Sequence, residues 1–66
     1  MTAKIYEGRF GYEQFLFKLG QDVEWIPAKD DFVFYNSVAY KVMYILTDYD
    51  YNEISIFVRK ACDEEY

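Results

Sequence analysis

The sequence predicts an all-β protein, either a small five-stranded barrel or a curled antiparallel meander. Three observations support this fold class: apolar and polar residues alternate with a period of two, aromatic residues make up 23% of the chain, and short polar turns separate the alternating stretches. A helical protein would instead repeat its apolar residues at every third and fourth position. We therefore expect a single β-domain over residues 1–62 and a frayed acidic tail over residues 63–66.

The strongest pattern runs from Val38 to Val58 and predicts a β-hairpin. Each strand has one face of aromatic, β-branched or leucine side chains, which suit a half-buried pleated surface: Tyr40, Val42, Tyr44 and Leu46 on the first strand, and Ile54, Ile56 and Val58 on the second. Between the strands, residues 48–52 contain three Asp or Asn residues, whose side chains can hydrogen-bond the backbone of a turn. A loop of this length is common in hairpins, so we expect the two strands to pair directly.

The chain before the hairpin begins with a short predicted strand over residues 3–7, in which Ile5 faces the opposite way from its neighbours. Gly8 and Gly11 follow and predict a turn, because glycine supplies the positive φ that a sharp reversal needs.

Residues 12–19 leave two interpretations open. As a strand they place Phe15, Phe17 and Leu19 on one face, and as a helix they present an apolar stripe that ends at Gly20. A helix of eight residues has only about two turns and is marginal in water, so the strand is favoured. A helix here would make the fold α+β.

Two further strands are predicted before the hairpin, which makes six candidate strands for the predicted five-stranded sheet. The first covers residues 23–26 and ends at Pro27, because proline lacks a donor for the sheet and fixes φ. The second covers residues 32–35, and the two-residue turn Asn36-Ser37 is expected to connect it to the hairpin. Such closely spaced short strands are typical of small barrels.

The stretch from Trp25 to Val42, W-I-P-A-K-D-D-F-V-F-Y-N-S-V-A-Y-K-V, resembles the beginning of small SH3-like barrels, especially short accessory proteins of tailed bacteriophages. In those proteins a proline, a basic residue, a glycine, an aspartate and an apolar residue open a strand, and tyrosine-any-valine follows a tight hairpin. Here Asp30 stands in place of the glycine. The resemblance covers residues 25–58 at most. It implies an SH3-like barrel of phage origin that acts by binding host machinery.

Charge and cysteine content limit the classes of function. Twelve acidic and seven basic residues give a net charge of −5, which argues against binding to a phosphate backbone. The single Cys62 cannot form an internal disulfide, which argues for an intracellular protein. The N-terminus lacks the apolar core of a signal peptide, and no stretch is long enough for a membrane span. We expect a cytoplasmic protein without a membrane partner, and nucleic acid is disfavoured as a partner.

The residues needed for common catalytic sites are scarce. The chain has no histidine, which excludes Ser-His-Asp and Cys-His arrangements. Cys62 is interpreted as incidental rather than as a reactive thiol. The paired carboxylates at residues 30–31 and at Asp48 and Asp50 fall in predicted turns, where water keeps them ionised and unsuited to acid–base catalysis. We therefore predict a protein that is not an enzyme, with no catalytic or cofactor-binding residues.

The hairpin loop partly matches the pattern of a calcium-binding loop. Asp48, Asp50 and Asn52 match the first three ligand positions of a calcium-binding EF loop. The sixth position requires glycine but holds Glu53, and the twelfth requires glutamate but holds Arg59. The segment is therefore interpreted as a hairpin loop stabilised by its Asx side chains, and no metal site is predicted.

The tyrosine content indicates a different use for the same loop. Eight tyrosines exceed the need of a small core, and two of them alternate with aspartates where burial is difficult. Tyrosine offers a large, stiff contact surface, and carboxylates steer a basic partner towards it. The alternative is that the two rings fold back over the mouth of the barrel. The candidate protein-binding residues are Tyr49, Tyr51, Asp48 and Asp50, with Tyr35 and Phe57 extending the surface.

Three functions remain open from the sequence. The leading hypothesis is a small acidic binding protein that engages or inhibits a host protein, or that a bacterial defence protein senses. The second is a structural module that forms homo-oligomers, such as a virion component. The third is a single-stranded nucleic-acid-binding domain of OB type, which the net charge of −5 disfavours.

Overall fold

In the computed structural model, which describes residues 2–19 and 26–62, the chain forms one five-stranded sheet. The strands are β1 (Thr2–Glu7), β2 (Gln14–Lys18), β3 (Phe32–Tyr35), β4 (Val38–Asp48) and β5 (Glu53–Lys60). The described residues contain no helix. The all-β prediction is therefore confirmed, and the alternative of a helix over residues 12–19 is wrong.

Two predictions fall wholly or mostly outside the described residues. Of the strand expected over residues 23–26, only Ile26 is described, and it is not in a strand. The tail expected over residues 63–66 also lies outside the described part of the chain.

The order of strands in the sheet is β2-β1-β5-β4-β3, so the first and last strands of the chain lie at its centre. These two strands run parallel, from Thr2 opposite Glu53 to Glu7 opposite Val58, and the other three pairs are antiparallel. The β4–β5 hairpin is confirmed, with residues 49–52 between the strands. The parallel pair brings together two strands that are about 50 residues apart in sequence, and this long-range contact was not predicted.

Positive φ angles mark the turns that the sequence predicted. Gly8 and Gly11 have φ values of 111° and 95° in the connection between β1 and β2. Asn36 and Ser37 have φ values of 53° and 67° in the turn between β3 and β4. Two consecutive residues with positive φ are typical of a type I′ turn, whose twist matches that of the flanking strands.

Asp30, which replaces the glycine of the phage-type pattern, also has a positive φ of 73°. Aspartate adopts this left-handed conformation more readily than most residues do. The Ala28 N–H donates to Asp31 Oδ2 at 2.9 Å, and the Asp31 N–H donates to the Ala28 carbonyl at 3.0 Å. These contacts hold the corner in a backbone conformation that glycine readily adopts.

A β-bulge in β4 changes which side chains face the core. Val42 pairs with Val58, but the next paired residue is Tyr44, which lies opposite Phe57. Met43 is therefore the extra residue, and the alternation of side chains restarts after it. The prediction of one continuous apolar face along this strand is wrong beyond Met43.

A second bulge lies in β2. Ile5 pairs with Phe17 and Tyr6 pairs with Phe15, which leaves Leu16 as the extra residue. Phe15 and Phe17 consequently face opposite sides of the sheet, although the sequence predicted one shared face.

The two faces of the sheet have different roles. We define the inner face by the buried cluster of Ile5, Tyr40, Val42, Ile56 and Val58. The outer face carries the alternate side chains, including the buried ring of Phe57. The inner cluster forms the core, because side chains from both central strands and from β4 are removed from water there.

The sheet curls towards its inner face. Phe17 on β2 and Tyr35 on β3 belong to the two strands at the ends of the sheet, yet their rings stack with centroids 4.0 Å apart and planes 20° apart. This contact requires the ends of the sheet to approach each other, which gives a half-barrel. The bulges at Leu16 and Met43 favour this curvature, because a bulge bends its strand and increases the local twist.

Candidate functional site

The tyrosine loop, residues 48–52, is the site that the sequence predicted most directly. Tyr49 and Tyr51 are 85% and 77% exposed, so neither ring folds back onto the sheet. The Asp48 carboxylate fixes the backbone beneath them: its Oδ1 accepts the N–H of Asp50 at 2.9 Å and the N–H of Tyr51 at 3.3 Å. Asn52 completes the reversal with a φ of 56°. The loop therefore holds its backbone with local contacts and presents both phenols to solvent.

Charged side chains surround the base of this loop. The Asp50 side chain is exposed, and Glu53 follows at the start of β5. Lys4 on the neighbouring strand forms an ion pair with Glu53, with its Nζ 2.7 Å from Glu53 Oε1. The hydrogen bond to Glu53, together with the attraction of that carboxylate, raises the pKa of Lys4 above its ordinary value of 10.5. The ion pair offsets the negative charge of Glu53, so the aspartates carry the dominant charges of the loop.

The structure does not bring the other two candidate residues to this loop. Phe57 is 1% exposed, so its side chain belongs to the packed interior and presents no surface. Tyr35 lies next to the β3–β4 turn, at the opposite end of β4 from the tyrosine loop. Along β4 these two ends are about 30 Å apart. The predicted site therefore reduces to Tyr49, Tyr51 and their two aspartates.

Phe57 is buried by aromatic rings on the outer face. Tyr6 and Tyr44 stack against it from the neighbouring strands, with centroid distances of 5.7 Å and 4.8 Å. Phe10 approaches its ring edge-on at 6.3 Å. Such contacts place offset or perpendicular rings at favourable separations. The outer face is thus a second packed layer, which the predicted periodicity did not reveal.

We name the connection between β1 and β2, residues 8–13, the glycine loop. It folds over this outer layer: the Phe10 N–H donates to the Tyr44 hydroxyl at 2.7 Å, across 34 positions of sequence. The Tyr12 N–H donates to the Arg9 carbonyl at 2.8 Å, and the Gly11 N–H donates to Glu13 Oε2 at 2.7 Å. Local turns, this long-range hydrogen bond and a second one from the Gly8 N–H to the Val58 carbonyl therefore fix this loop.

The glycine loop and β2 carry an exposed aromatic patch, which we define as Phe10, Tyr12 and Phe15. Tyr12 is 92% exposed and Phe10 is 66% exposed, even though the Phe10 ring also contacts Phe57. Phe15 is half-exposed beside Tyr6. The sequence pattern did not predict this patch. The available signal was the pair of glycines around Phe10, since a turn places at least one ring outside a strand.

A groove of about 780 Å³ opens on the inner side of the half-barrel, close to the stacked rings of Phe17 and Tyr35. Its walls include Val33 and the aspartates Asp30 and Asp31. Tyr35, a predicted site residue, lines this groove and is 37% exposed.

In the described part of the chain, the acidic and thiol groups show no clustering that would hold a metal ion. Within residues 2–19 and 26–62, no group of three or more Cys, Asp or Glu side chains is placed to do so. Cys62 is exposed and forms no disulfide.

Comparisons with family models, curated proteins and solved structures find no match to this chain. The described residues also include no helix that is long and apolar enough to cross a membrane.

Proposed function

We propose that this chain is a small acidic, non-enzymatic protein that binds another protein through the tyrosine loop. The observation that carries the proposal is the exposure of Tyr49 and Tyr51, at 85% and 77%, on a loop whose backbone Asp48 holds in place. An exposed ring on a fixed backbone loses little conformational entropy on binding.

The charge of the loop selects the kind of partner. Asp48 and Asp50 flank Tyr49, and the whole chain carries a net charge of −5. Carboxylates at the edge of a contact accelerate encounter with a positively charged surface and oppose binding to acidic ones. The partner we propose is a protein with a basic surface and an apolar depression that accepts a phenol ring.

The resemblance to phage accessory proteins supports a more specific version of this proposal. In that version the chain acts in the cytoplasm of a bacterial host, where it inhibits a host protein or is sensed by a defence protein. The SH3-like pattern from Trp25 to Val42 motivates this choice, and the all-β half-barrel is consistent with it.

The test compares three forms of the tagged protein in bacterial lysate: the wild type, the double variant Tyr49→Ala/Tyr51→Ala, and the control Phe34→Ala. Phe34 is 75% exposed on β3 and lies outside the tyrosine loop, so its removal matches the loss of an exposed ring. We expect one protein to be recovered with the wild type and the control but lost with the double variant.

The recovered protein is then purified, and its affinity is measured at low and high salt. Binding should weaken as salt rises, because counterions screen contacts between exposed charges. Recovery of the same protein by the double variant, or failure of the wild type to recover any protein, would overturn the proposal.

A further inference from the structure

Two exposed aromatic surfaces lie at opposite ends of the central strand pair. The Thr2 N–H donates to the Asn52 carbonyl at 3.1 Å, which places the start of β1 beside the tyrosine loop. The Gly8 N–H donates to the Val58 carbonyl at 2.9 Å, which places the glycine loop at the other end of the same two strands. Because β1 has six residues, the two surfaces are about 20 Å apart.

The two surfaces differ in the charges that remain available. Arg9 lies in the glycine loop beside the aromatic patch, is exposed, and forms no ion pair with a carboxylate of the described residues. The nearby Glu13 directs Oε2 to the backbone of its own loop. At the tyrosine loop, the exposed Asp50 forms no ion pair with a cation of the described residues. Among the described residues, a cation without an ion-pair partner therefore lies at one surface, and a carboxylate without one lies at the other.

We propose that the aromatic patch is a docking surface for the tyrosine loop of a second copy of this chain. Tyr49 and Tyr51 of one copy pack against Phe10, Tyr12 and Phe15 of the next, where rings gain edge-on and offset contacts. The Asp50 carboxylate of the incoming loop then approaches Arg9. Charge complementarity and aromatic content together select this occupant.

The contact has a definite symmetry. It joins two different surfaces at opposite ends of the sheet, so it is heterologous rather than two-fold symmetric. Each added copy leaves one free loop and one free patch, and association continues until a ring closes or a filament forms. A two-fold dimer would instead stop at two copies.

This inference goes beyond the proposed function and shares only the tyrosine loop with it. A loop that is docked on a second copy is not available to another protein. Self-association and binding of the basic partner therefore compete, and dilution releases loops for the partner.

The experiment uses two variants that each retain one surface. The first, Tyr49→Ala/Tyr51→Ala, lacks a functional loop, and the second, Arg9→Glu/Tyr12→Ala, lacks a functional patch. All four substituted side chains are exposed, so we expect both variants to fold, and circular dichroism is used to check this. Lys29→Glu serves as the control for the change of charge, because Lys29 is exposed and lies outside both surfaces.

Sedimentation from micromolar to millimolar concentration then distinguishes the outcomes. Wild type and Lys29→Glu should associate beyond a dimer, and each double variant alone should require at least about tenfold higher concentration. An equal mixture of the two variants should form a one-to-one dimer and stop there, since only one intact loop and one intact patch remain.

Three results would overturn the inference: a wild type that stays monomeric over the whole range, a mixture of variants that stays monomeric, or either variant associating as strongly as the wild type. A monomeric wild type whose loop variant still loses its lysate partner would remove the self-association and leave the proposed function standing.

Discussion

The tyrosine loop and the glycine loop both expose aromatic rings, but they are fixed by different kinds of contact. In the tyrosine loop, Asp48 binds backbone groups two and three residues away, and the rings play no part in holding the loop. In the glycine loop, Phe10 packs on Phe57 and bonds to Tyr44 far away in sequence. The first loop is a local structure that displays its rings, whereas the second uses a ring to close the outer face.

The substitution of Phe57 should cause the largest difference in stability between the two regions. Phe57 is fully buried between Tyr6 and Tyr44 and lies under Phe10, so Phe57→Ala leaves a cavity in the outer layer. We expect a loss of about 3–5 kcal/mol in the free energy of unfolding, measured by urea denaturation. Tyr49→Ala is the matched control and should change stability by less than about 0.5 kcal/mol. Similar losses in both variants would mean that Phe57 is not part of a packed layer.

The two glycines of the glycine loop allow a second, finer test. Both have positive φ, but a Cβ at Gly8 would lie 3.2 Å from the Tyr12 carbonyl oxygen, whereas a Cβ at Gly11 would meet nothing within 4 Å. Both alanine variants carry the strain of an unfavourable φ, which costs about 1 kcal/mol or more. Gly8→Ala should be the more destabilised of the two in thermal unfolding. Equal losses would show that only the backbone conformation matters.

The difference between the loops also explains which features the sequence could predict. The hairpin and the turns at Gly8, Asn36 and Asn52 depend on neighbours within a few residues, and local residue chemistry predicted them. The sequence left open whether the rings of the tyrosine loop are exposed or folded back. The role of the glycine loop depends on contacts with β4 and β5, and no local pattern contains that information. Phe57 was predicted to lie on a surface because its burial also depends on contacts with residues that are distant in the sequence.

The bulges show how a local rule can fail at a single residue. Alternation along β4 predicted that Tyr44 would lie beside Val42, but the extra residue Met43 moved Tyr44 to the other face, against Phe57. In β2 the extra residue Leu16 likewise places Phe15 and Phe17 on opposite faces of the sheet. A bulge depends on how a strand fits its neighbour, so the sequence of one strand does not specify it. Because of these two extra residues, the alternation of side chains did not predict the second layer of the fold or the aromatic patch.

Removing the hydrogen bond that anchors each loop should affect that loop alone. Tyr44→Phe deletes the acceptor of the Phe10 N–H, and Asp48→Ala deletes the acceptor of the Asp50 and Tyr51 N–H groups. Each change should cost on the order of 1 kcal/mol. Amide hydrogen exchange should accelerate at Phe10 in the first variant and at residues 50–51 in the second. Faster exchange in both loops from either change would indicate that the loops are coupled through the sheet.

The smallest expected effect concerns the ion pair that borders the tyrosine loop. Because Glu53 raises the pKa of Lys4 above 10.5, the pair stabilises the fold fully at pH values below the ordinary pKa of lysine. This contribution is lost as pH rises through the raised pKa, where Lys4 loses its proton and the carboxylate loses its partner. Glu53→Gln should therefore be slightly less stable than wild type at neutral pH, and the difference should shrink above pH 10.5. The comparison is made by denaturation of both proteins at each pH, so that effects of pH common to both proteins cancel. A difference that stays constant through alkaline pH would assign the effect of the substitution to something other than the charge on Lys4.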